Sequence, residues 1–78
     1  MATTEKKKPI ETLKKHAVKA AIWGNQGKDG MFYSVTFSRS YKDVEGNWRN
    51  TNSYTASDLD ALIDLGISAK NRIDKYQS

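Results

Sequence analysis

The stretch Phe32–Tyr54, FYSVTFSRSYKDVEGNWRNTNSY, decides how this chain folds. Tyr33, Val35 and Phe37 alternate with Ser34, Thr36 and Ser38. That period of two belongs to a strand with one face in a core and the other in water, and it predicts a strand over about 31–41. KDVEGN, residues 42–47, reads as a tight connection in which Gly46 takes the positive φ of a bulged hairpin turn. A further strand over roughly 48–56 is expected to carry Trp48, Asn50, Asn52 and Tyr54 on one side. Arg49, Thr51 and Ser53 then fall on the other. One side of this hairpin is given to hydroxyls and arginines, which raises the question of what it meets.

Upstream, HAVKAAIW (16–23) alternates in the same way, with Val18, Ala20 and Ile22 on one face and Ala17, Lys19, Ala21 and Trp23 on the other. GNQGKDG (24–30), with its three glycines, predicts a flexible hairpin loop. Residues 1–14 are polar and lysine-rich, interrupted by Pro9, and apolar at Ile10 and Leu13. They are expected to form a flexible basic arm, with at most a helical turn near 10–15. The single domain then spans 15–78.

Downstream, the period changes from two to 3.6 at Ser57. SDLD offers Ser57 as a helix cap facing the amide of Asp60, with acidic residues at the positive end of the dipole. Lys70, Arg72 and Lys75 occupy the far end, where cations are favoured. Leu59, Leu62, Ile63, Gly66, Ala69 and Ile73 form one stripe, edged by Leu65 and Tyr76. Gly66, mid-stripe, costs about 1 kcal/mol against alanine, which suggests a neighbouring backbone in close approach.

The fold class is α+β: an antiparallel meander of three strands, or of four, followed by one long C-terminal helix. One helix covers one face of a sheet. The uncovered face should hold Lys19, Trp23, Ser34, Thr36, Ser38, Arg49, Thr51 and Ser53. A chain of 78 residues buries little surface and usually needs a disulfide, a metal or a second copy as support. It has no cysteine and one histidine, His16, so a homodimer is expected, with no cofactor and no metal site. Trp48, Tyr54, Leu62, Gly66 and Ile73 are the candidates for its interface.

Residues 1–28 carry seven lysines against two glutamates, whereas 57–78 carry three basic and four acidic groups. A basic arm and strand favour polyanions through counterion release. MATTEKKKP has no apolar run behind its lysines, and no segment approaches the roughly 20 apolar residues of a membrane span. A soluble, cytoplasmic protein without membrane contact is expected. No paired nucleophile and base, metal cluster or phosphate-cradling glycine loop is present, so neither an enzyme nor a small-molecule substrate is expected.

Single-stranded nucleic acid is held by cations along the phosphates and by aromatics on which bases stack. Lys19, Arg39, Lys42 and Arg49 are the candidate phosphate contacts, Trp23 and Phe32 the stacking surfaces, and Ser34, Thr36, Ser38 and Thr51 the hydroxyl donors. The same hydroxyl rows also suit an ordinary solvated strand face. A second class, a protein-interaction module, would dock a partner on the open face or on the Gly66 stripe.

VTFSRSYKDVEGNWRNTNSYTASDLDALIDL, Val35 to Leu65, resembles the single-stranded-DNA-binding domain of the positive cofactor four transcriptional coactivators and their bacterial relatives. Val35, Phe37, Arg39, Tyr41, Asp43, Gly46, Trp48, Leu59 and Leu62 carry the likeness. TNSY stands where that family has a glycine-containing basic segment. The resemblance implies a homodimer with two sheets and two helices packed together and single-stranded DNA across the exposed strands. It points to a non-enzymatic accessory factor in transcription or replication.

Overall fold

A computed structural model describes residues 8–77. Its strands are β1 (Glu11–Lys15), β2 (Val18–Gly27), β3 (Gly30–Lys42) and β4 (Trp48–Thr51), followed by the helix α1 (Ala56–Gln77). The strands form one antiparallel sheet in chain order. The four-stranded form of the meander is therefore the one adopted. The extra strand comes from the expected arm: residues 11–15 pair with 18–22, and the Ile10 amide donates to the Ile22 carbonyl at 2.7 Å. The rest of the expected arm, residues 1–7, lies outside the described residues.

Two hairpin turns differ from the sequence reading. His16 does not begin a strand but sits in a two-residue turn with Ala17, at a φ of 56°. The expected loop at 24–30 is mostly strand, with Gly27 opposite Gly30 and the turn reduced to Lys28 and Asp29. A glycine at position 30 is required there by its φ of 121°.

The helix lies over β1 and β2 and reaches only the near part of β3. Its buried row is Ala61, Leu65 and Ala69; Ala61 and Leu65 cluster with Val18 and Ala20 of β2, and Ile22 continues the buried row of that strand. Leu13, Val35, Phe37, Tyr54 and Leu62 pack around this core. Part of the expected stripe is thus rotated outward: Leu59 and Ile63 are 44 and 58% exposed, and Ile67, outside that stripe, lies beside them at 57%. Alanines win the buried row because β2 also offers an alanine at its centre, and small side chains let helix and sheet approach closely. Nothing stands within 4 Å of a side chain added at Gly66, so no backbone of the same chain explains that glycine.

Polar ties hold both ends of the helix. The cap is Thr55 rather than Ser57. The Asp58 amide donates to Thr55 Oγ1 (3.3 Å), and the Thr55 amide donates to Asp58 Oδ2 (2.9 Å). Both TASD and SDLD have the capping-box spacing, and the first is used because Arg39 Nε stands 3.1 Å from Asp58 Oδ2. At the far end, Glu11 of β1 accepts from Arg72 Nη1 (2.7 Å) and from the Tyr76 hydroxyl. The Tyr76 ring centroid lies 5.5 Å from that of Tyr33, and Lys15 pairs with Asp64 between the two ends.

Thr55→Ala is expected to cost about 1 kcal/mol in urea unfolding, and Ser57→Ala less than about 0.5. The Thr55 amide holds the Asp58 carboxyl below its ordinary value of 3.8, helped by the Thr55 hydroxyl and the Arg39 charge. A lowered folded-state value means that this stability is complete above about pH 4 and drains as pH falls through the lowered value. Asp58→Asn should therefore flatten the acid end of the stability-against-pH curve.

Candidate nucleic-acid interface

Register partners share a face, so the pairing assigns every side chain of the sheet. Lys14 pairs with Lys19 and Lys19 with Ser38. Ser40 pairs with Asn50, and Lys42 with Trp48. These lie on the face away from the helix, together with Trp23, Phe32, Ser34 and Thr36. Lys14, Lys19 and Lys42 give that face its charge. None of its strand positions carries a carboxylate, since Glu11 points to the helix side and the other acids of the described chain lie in turns or on the helix.

β4 presents the opposite side from the one expected. Residues 43–47 connect Lys42 to Trp48 in a register that pairs Tyr41 with Arg49 and Arg39 with Thr51. Arg49, Thr51 and Arg39 therefore fall on the helix side. One residue more or fewer in that turn would exchange the faces. The turn is set by Asp43, whose Oδ1 accepts the amides of Glu45 (3.0 Å) and Asn47 (2.9 Å). Its Oδ2 accepts from Arg49 Nε at 2.8 Å. The Arg49 bond first, then the Asn47 amide, holds the Asp43 carboxyl below its ordinary value. β4 stops at Thr51 because the Ser53 amide turns back to Thr51 Oγ1 (3.2 Å) while the Ser53 carbonyl accepts from Arg39 Nε (3.1 Å). Arg39 and Arg49 are structural cations here.

Several expected donors are engaged within the open face itself. Trp23 Nε1 donates to Thr36 Oγ1 at 2.9 Å, which ties the half-buried indole to the neighbouring strand. Asn25 Nδ2 donates to Ser34 Oγ at 3.1 Å, and Ser40 Oγ to Asn50 Oδ1 at 3.2 Å. Phe32 stands 53% exposed near the β2–β3 turn.

Trp48, expected in a core or dimer contact, is 69% exposed on the open face. The Lys42 ammonium lies 5.6 Å from its ring centroid. Tyr54 does join the core rim, and its hydroxyl is buried without a partner. Lys14, Ser40, Trp48 and Asn50 are members that the sequence reading missed. The signal for them was the length of the 43–47 turn and the alternation from Glu11 to Lys15.

No family model, no curated protein and no solved structure matches the chain. Among the described residues, no three His, Cys, Asp or Glu side chains gather as a metal-ligand set, and no helix is long and apolar enough to cross a membrane.

If Asp43 and Arg49 act as one structural unit, Asp43→Ala and Arg49→Ala should each lower the thermal midpoint. The double variant should fall well short of the sum of the two. Lys42→Ala should leave stability within about 0.5 kcal/mol.

Proposed function

We propose that this chain is a non-enzymatic single-stranded nucleic-acid-binding protein that tracks the sugar–phosphate backbone across its open sheet face. The carrying observation is the row Lys14, Lys19 and Lys42 on a face whose strands bear no carboxylate. Exposed Trp48 and Phe32 stand along the same face. Cations with an aromatic beside them at one end of a sheet face, and a second aromatic at the other, suit a flexible polyanion. DNA is favoured over RNA by the likeness to the positive cofactor four domains, and an accessory role in transcription or replication follows from the same likeness.

The working unit is a homodimer, and the outward helix row supports it. A partner helix crossing through Leu59, Ile63 and Ile67 would cover this exposed row.

Binding of labelled oligothymidylate should weaken steeply with salt. The log–log slope should fall by about 0.7 for each of Lys14, Lys19 and Lys42 changed to glutamine. Arg49→Gln should leave it unchanged, and absence of salt-sensitive binding refutes the reading. Light scattering should give twice the 8.8 kDa chain mass, and Ile63→Lys should return it to the single-chain value. Gly66→Ala discriminates further: an isolated helix gains about 1 kcal/mol, whereas a partner helix seated there makes the change unfavourable.

A further inference from the structure

We propose that the hollow between the β1–β2 turn and the start of β4 is a slot for one unstacked nucleobase, held against Trp48 with its phosphate toward Lys14. This rests on the reading of the open face as a single-strand surface. The hollow measures about 510 Å³ and is lined by Lys14, His16, Ala17, Ser40 and Trp48. Small-ligand sites run from about 300 to 1,000 Å³.

Each part needed to hold a base is present. The Trp48 indole offers the largest exposed aromatic surface among the described residues, at 69%. Lys42 lies beside it, ready to meet an adjacent phosphate. Ser40 Oγ lines the hollow as an acceptor, its own proton being donated to Asn50 Oδ1 at 3.2 Å, and so can accept from a base edge.

His16, from a backbone at φ 56°, also lines the hollow. This left-handed conformation is uncommon outside glycine, and where a side chain holds it the position is worth examining for function. A glycine would make the same turn without strain, yet the chain places a histidine there, at the edge of the hollow.

A second hollow, of about 500 Å³, opens on the other side of the same turn, where Lys15 and His16 line it together with Asp58, Asp60 and Asp64. Asp64 is paired with Lys15 and Asp58 with Arg39, so among the described residues this hollow lacks the exposed aromatic and the unpaired lysine of the first.

The test compares oligothymidylate with an abasic deoxyribose-phosphate oligomer of the same length, both titrated into the full chain. Thymidylate is expected to quench tryptophan fluorescence and to bind at least about fivefold more tightly than the abasic strand. In Trp48→Ala, both the quench and the preference should vanish while the abasic affinity stays as in the parent chain. His16→Gly removes the imidazole and relieves the turn, so it should keep the fold by circular dichroism and reduce the preference. Equal affinity for the two strands, with no Trp48-dependent quench, overturns the slot and leaves backbone tracking intact. If neither strand binds, the open-face reading falls and the slot with it.

Discussion

The packing of Ala61 and Leu65 on Val18 and Ala20, continued by the buried Ala69 and Ile22, is the contact on which the structure depends. Of the side chains in it, only Ile22 and Val18 are large and wholly buried. Each contributes about 1.5–3 kcal/mol by burial. So small an apolar centre leaves the helix position to be set by its polar ends. Asp58 holds Arg39 at one end, and Glu11 holds Arg72 and Tyr76 at the other. Loss of either tie would loosen the helix on a surface with little else to guide it.

Placing the helix over β1 and β2 shapes everything outside that contact. Among the described residues, it leaves the far half of the sheet uncovered by the helix and Leu59, Ile63 and Ile67 exposed. The radius of gyration, 14.8 Å, exceeds the roughly 12 Å of a compact chain of this length. The molecule is a thin plate, with Cα extents of 45 × 36 × 15 Å. A plate offers two broad surfaces for its mass, one basic and hydroxylated, the other partly apolar. Under the proposed function, the first would meet a polyanion and the second an apolar helix face.

Charge is separated in the same way. Apart from Glu11 of β1, which points to the helix side, the acids of the described chain lie in turns and on the helix, and several are neutralised by arginines and lysines of the helix side. The lysines of the open face have no such partners built into its strands. Arginine, whose planar fork suits fixed pairs, is used for structure. Lysine, a mobile point charge, is left for the face that would follow a flexible backbone.

Much of the architecture was legible in the residues. The alternation of Tyr33, Val35 and Phe37 with Ser34, Thr36 and Ser38 marks β3, Val18, Ala20 and Ile22 mark β2, and the change of period after Tyr54 marks the helix. On the site, Lys19, Trp23, Ser34, Thr36 and Ser38 were placed on the face they occupy, because local alternation reports the face of a long strand. Arg49, Thr51 and Trp48 were not, since a short strand takes its facing from the turn before it, and Asp43 sets that turn through bonds to residues on both sides.

The sequence by itself determined the element types, the existence of one open sheet face and the basic character of the N-terminal half. These follow from periodicity and composition, which act between near neighbours. Only the tertiary structure decided which row of the helix is buried, which residue caps it, that residues 11–15 pair as a strand, and that Trp48 rather than Trp23 stands free. Each of those choices turns on a partner distant in the chain: Ala20 for Ala61, Arg39 for Asp58, Ile22 for Glu11, Thr36 for Trp23.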